Sequence, residues 1–85
     1  MTRQERIEAN EAVFRKYAAR RGETIRFYCE CVRDDCQESV AVAWSDYEVI
    51  RAEPGRFLVV PGHETPEAER VLSRTARYYI VALRA

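Results

Sequence analysis

The chain has 85 residues, 14 of them basic and 14 acidic, and 47% are apolar. That length makes one domain with a radius of gyration of about 12 Å and excludes a cofactor domain joined to a substrate domain. Zero formal net charge argues against a general polyanion binder, and domains this small often add disulfides, a metal or a partner chain to a marginal core.

The charges are segregated along the chain. Residues 1–21 hold six basic and three acidic groups, whereas residues 22–41 hold two basic and five acidic groups. The opening Met1-Thr-Arg-Gln-Glu-Arg6 has no apolar leader, and no stretch nears the roughly 18 apolar residues of a membrane span. A cytoplasmic protein with reduced thiols and no membrane contact is the expectation.

Residues 1–22 predict a helix. Thr2 and Glu5 form a capping box, and Gly22 is the expected stop after Arg20 and Arg21. Ile7, Phe14, Tyr17 and Ala18, with Val13 beside them, make a thin apolar stripe. Such a stripe usually faces the chain's own core, but so narrow a face also suits a groove on another protein or a second copy of the chain, giving a homodimer through this helix.

Residues 23–85 carry the expected sheet. Ile25, Phe27 and Cys29 alternate with Arg26 and Tyr28 as in a half-buried strand, and 38–44 resume one with Val40 and Val42 on one face. Ser45-Asp-Tyr-Glu48 reads as a second capping box, opening a short helix that Pro54-Gly55 closes. Phe57–Val60 is a compact strand ended by Pro61-Gly62-His63. Thr65-Pro66 starts a helical turn, and 70–73 and 77–83 read as two strands around Thr75-Ala76, although 66–75 also fits one helix.

Between the first two strands lies the segment with chemistry. Cys29, Cys31 and Cys36 form C-x-C-x4-C, and His63 is the single histidine. Zinc takes four nitrogen or sulfur donors in a tetrahedron, and three cysteines with one histidine is a common structural set. Cys29 and Cys31 share a face of an extended strand, and the loop through Asp34 and Asp35 can fold Cys36 back beside them. His63 follows a bend at a strand end, where a side chain can reach a neighbouring strand. The competing reading makes the thiols small buried hydrophobes and His63 a solvated loop residue.

Asn10-Glu-Ala-Val-Phe-Arg15, the F-x-C-E-C-x4-C segment from Phe27, the block Y-E-x-x-R-A-x-P-x-R-F-L-V-x-P-G-H-E from Tyr47, the E-R-V at Glu69 and a tyrosine-led last strand resemble a group of small actinobacterial proteins of unassigned function. The resemblance implies the same donors, Cys29, Cys31, Cys36 and His63, and brings no activity with it. The chain departs from that group in its last residues, Ala82-Leu-Arg-Ala85.

Other chemistries fit less well. In CDGSH-type iron–sulfur proteins the histidine follows the third cysteine within a few residues; here 37–62 intervene and no Asp-Gly-Ser follows Cys36. Catalytic zinc keeps one position open for water, and four protein donors close it. Glu64 and Glu30 are the nearest carboxylates, read as solvated strand-end charge or as support for the ligands. A nucleic-acid role is not favoured, because Glu5, Glu8 and Glu11 interleave the basic residues of the helix and Glu30, Asp34 and Asp35 make the knuckle acidic. Tyr78 and Tyr79 with Arg74 and Arg77 are the one cluster suited to base stacking, and otherwise read as one tyrosine in and one out. The sequence therefore predicts an α+β fold: a helix, then a small antiparallel sheet with short helices, stapled by a Cys3His zinc site. The expected role is a non-enzymatic accessory or regulatory protein-interaction module, with a nucleic-acid-associated zinc domain as the alternative.

Overall fold

In the computed structural model, which describes residues 1–84, the elements run α1 (Arg3–Lys16), β1 (Thr24–Tyr28), β2 (Ser39–Ala43), α2 (Trp44–Arg51), β3 (Arg56–Val59), β4 (Glu69–Arg74) and β5 (Tyr79–Leu83). The helix-then-sheet order matches the expected α+β class. The strands divide into two antiparallel sheets instead of one, β1-β2 and β3-β5-β4. Among the described residues no helix is long and apolar enough to cross a membrane.

The capping box at the start of α1 is present, with Thr2 Oγ1 accepting from the Glu5 N–H and the Glu5 carboxylate accepting from the Thr2 N–H. Its far end comes earlier than expected, at Lys16 instead of beside Gly22. That end is tied to a residue 30 positions away. The Trp44 indole N–H donates to the Phe14 carbonyl at 2.7 Å, the acceptor that the Ala18 N–H would need to continue the helix. Ala18 turns to Arg15 O at 3.4 Å, and residues 17–23 proceed through tight turns.

The expected stripe also changes identity. Arg6, Ile7 and Asn10 are the fully buried residues of α1, while Ala18 lies past its end and is exposed. Phe14 stacks on Trp44 with centroids 4.3 Å apart, and Val13, Phe14 and Tyr17 pack against the chain's own core. The apolar face proposed for a partner is thus used within the fold. It looked thin because polar side chains complete it.

The main core joins Ile25 and Phe27 of β1, Val40 and Val42 of β2, Trp44, Tyr47 and Ile50 of α2, and Leu58 of β3. Phe27 and Tyr47 stack at 4.1 Å. The second expected capping box is absent, since β2 runs directly into α2 with Ala43 at the N-cap and no side-chain cap. The Trp44 N–H bonds to Glu23 O across the β1-β2 pair, which starts the helix at Trp44 and leaves Ser45 inside it.

Residues 66–68 form a single turn, so the two-strand reading of the C-terminal segment holds. Thr75 Oγ1 accepts from the Arg77 and Tyr78 N–H groups and closes the hairpin. The β4-β5 register shifts between Val71 and Ser73, leaving Leu72 as an exposed bulge. Tyr78 and Tyr79 are both half-buried, Tyr78 against the main core and Tyr79 against a second cluster of Cys29, Cys31, Val59 and Val81. Both rings are thus partly engaged within the fold. Of the last four residues, Ala82-Leu-Arg-Ala85, Ala85 lies outside the described residues.

Candidate metal centre

β1 runs out at Tyr28, and the chain then crosses from the first sheet to the second. At that crossing Glu30 N–H bonds to Leu58 O at 2.6 Å, while Leu58 N–H bonds back to the Glu30 carboxylate at 3.0 Å. A side chain thus completes a pairing that a backbone carbonyl would make in a continuous ladder. On either side of Glu30, Cys29 and Cys31 are fully buried. A tight turn from Arg33 to Cys36 brings Cys36 back to them. From the second sheet, Pro61 and Gly62 turn the chain after β3, with Gly62 at φ +93° and the His63 N–H bonded to Val60 O.

The four donor atoms of Cys29, Cys31, Cys36 and His63 lie within 4.8 Å of one another. His63 Nδ1 is 3.7 Å from Cys29 Sγ and 3.6 Å from Cys36 Sγ. Around a tetrahedral ion with metal–sulfur and metal–nitrogen bonds of about 2.3 and 2.0–2.1 Å, a sulfur–nitrogen edge measures about 3.6 Å. Both of these Nδ1–Sγ separations therefore match edges of a tetrahedral site with Nδ1 as the histidine ligand. All four expected donors are brought together.

The thiols differ in their surroundings. Burial raises the Cys29 thiol to about 12, aided by the neighbouring Cys31 and Cys36 and opposed by the Val60 N–H, which donates to Cys29 Sγ at 3.2 Å. Burial also works to raise Cys31, but the Arg33 N–H and contacts from His63, Cys36 and Cys29 outweigh it and bring that thiol down to about 7. A bound cation would favour the thiolate at each position, so loading the site displaces protons.

Around the donors lies a polar frame that the sequence reading missed. Arg3 donates through Nε to Glu30 O, Arg6 donates to the carbonyls of Cys29, Cys31 and Arg33, and Asn10 exchanges two hydrogen bonds with the Tyr28 backbone. Positions 3, 6 and 10 share one face of α1, so one helix holds the backbone of 28–33. The Glu30 carboxylate, expected to be solvated or supporting, is wholly buried and takes the second role. It accepts from Tyr47 Oη at 2.6 Å, Asn10 Nδ2 at 2.9 Å and Arg51 at 3.2 Å. Arg3 also pairs with the buried Glu69, whose carboxylate accepts from the Thr65 N–H. Glu64 accepts from the Gly62 N–H at 2.8 Å and so braces the bend before His63. A clue was present in the sequence: Arg6 and Asn10 fall on the same helix face as Ile7 and Phe14.

Compared with known protein families, curated proteins and solved structures, the chain matches none.

Proposed function

We propose that the protein is a structural zinc domain that serves as a non-enzymatic protein-interaction module of the cytoplasm. The observation that carries this reading is the convergence of four soft or borderline donors, two of them completely buried, within 4.8 Å of one another. Three thiolates and an imidazole suit zinc, and four protein donors leave no coordination position for a water to be activated. The ion would tie the β1-β2 connection to the bend after β3, and so join the two sheets at their crossing.

With the apolar side of α1 used internally, the partner surface is assigned to the ground beside the metal loop. Exposed Met1 and Tyr28 border a hollow of about 250 Å³ whose wall includes Asp34, Asp35 and Gln37. An acidic rim with apolar flanks suits a protein segment bearing a basic side chain, and repels nucleic-acid phosphate.

Elemental analysis of protein from zinc-replete cells tests the metal. One zinc per chain and a colourless sample are expected; iron with a visible absorption that bleaches on reduction overturns the assignment. For the interaction, Asp34→Lys with Asp35→Lys should abolish capture of the protein partner recovered with the native chain and leave zinc content unchanged. Recovery of nucleic acid with a steep salt dependence would overturn the protein-partner reading, and a zinc-bound dimer by sedimentation would identify the partner as a second copy.

A further inference from the structure

The buried charges of this small protein form a short ledger with one unbalanced member. Glu30 pairs with Arg51, and Glu69 pairs with Arg3. Arg6 is 1% exposed, and no ion pair among the described residues includes it. Its terminal nitrogens donate to the carbonyls of Cys29, Cys31 and Arg33, and its Nε has no partner. Carbonyls solvate a guanidinium without neutralising it, and a buried charge left without a counter-charge is strongly unfavourable. Asp34 and Asp35 line the same hollow as Arg6, but both are exposed and neither pairs with it.

One further group is in reach. Arg6 Nη1 lies 3.8 Å from Cys31 Sγ. Three thiolates around one divalent ion leave a single negative charge on the centre. Arg6 carries the single positive charge that balances it, from a position fixed by three backbone carbonyls.

We propose that Arg6 is the counter-charge of the metal centre, holding the Cys3His unit electrically neutral inside the protein and keeping its thiolates unreactive toward soft electrophiles. The inference rests on the structural-zinc reading above. A guanidinium beside a metal-bound thiolate draws on the electron density that an electrophile would attack.

The test compares zinc-loaded native protein with Arg6→Gln and Arg6→Lys. Zinc per chain is measured first, and then the rate at which iodoacetamide releases zinc to a chromogenic chelator. In that reaction a thiolate sulfur forms a bond to carbon and iodide leaves. Arg6→Gln should release zinc about tenfold faster than the native protein, and Arg6→Lys, which keeps the charge without the fork, within about threefold of it. A Gln variant no faster than native overturns the proposal, as does a Lys variant as fast as Gln, because the carbonyl bonds would then be the whole of the role. Should Arg6→Gln fail to load zinc, one zinc per chain in Arg6→Lys upholds the proposal and failure of both variants overturns it. Native protein without zinc would defeat the structural-zinc reading itself, and with it the counter-charge, before any variant is compared.

Discussion

Trp44 and Phe14 meet twice: their rings stack with planes 12° apart, and the Trp44 indole N–H is hydrogen-bonded to the Phe14 carbonyl at 2.7 Å. The pair couples the end of one helix to the start of the other. It also marks where α1 stops: the Phe14 carbonyl accepts from the indole, while the Ala18 N–H bonds to Arg15 O instead.

Trp44→Phe keeps a ring in the stack and removes the donor. A loss of about 1–2 kcal/mol is expected, with unchanged metal content. Urea unfolding measures it. Phe14→Ala should cost more, about 3 kcal/mol, since it empties part of the core, and should again leave the metal in place.

Glu30→Gln strips the charge from the hub that Tyr47, Asn10, Arg51 and the Leu58 N–H share. Arg51 then remains without its carboxylate, and a loss of about 3–5 kcal/mol is expected. That is a large part of the 5–15 kcal/mol typical of a domain. Equilibrium denaturation of the zinc-loaded protein, with the metal quantified on both sides, checks it.

Alkaline stability follows from the same hub. Burial raises the Tyr47 hydroxyl above its ordinary value of 10.0, and the charge of Glu30 and the hydrogen bond to it add to the rise. Through this range the folded state holds a proton that the unfolded state releases. The contribution is therefore intact below about pH 10 and declines as pH rises beyond it. Tyr47→Phe should flatten the decline between about pH 10 and 11 in denaturation midpoints, at the cost of lower stability at pH 7.

Metal uptake should be linked to proton release. With the Cys29 thiol raised to about 12 by burial, it is protonated in the metal-free protein throughout the neutral range. Coordination must displace that proton, so affinity rises with pH. Calorimetric titration at pH 8 in two buffers of different ionisation heat should give at least about one proton released per ion.

Gly62→Ala tests the bend that aims His63. At φ +93° and with open space around it, an added Cβ meets no neighbour, and the cost is backbone strain alone, about 1–2 kcal/mol. Part of that strain should be relieved by moving His63. Metal loss to a competing chelator should then be several-fold faster, while the β3-β5 pairing is retained.

The donors were legible because each is a rare residue type and three of them are local in sequence. Alternation at Ile25–Phe27 and Val40–Val42 likewise announced strands, since the period depends only on neighbours. What escaped depended on distant partners. The end of α1 coincides with the Trp44 bond to Phe14, the start of α2 with the Trp44 bond to the Glu23 carbonyl, and the crossing between the sheets with Glu30 turning its carboxylate onto Leu58. The polar face of α1 was hidden for another reason. Apolar periodicity cannot register a helix whose inner side is completed by Arg3, Arg6 and Asn10.

That inner side gives the helix an unusual kind of fit. A greasy stripe can slide by a turn against an apolar surface and lose little, whereas donors at positions 3, 6 and 10 meet individual carbonyls between Tyr28 and Arg33. Advancing the helix by one turn, about 5.4 Å, would leave all of them facing the wrong oxygens. The N-terminal segment thus works as a key cut for one lock. A generic amphipathic helix grafted in its place would cover the same area and still leave the cysteine loop unheld.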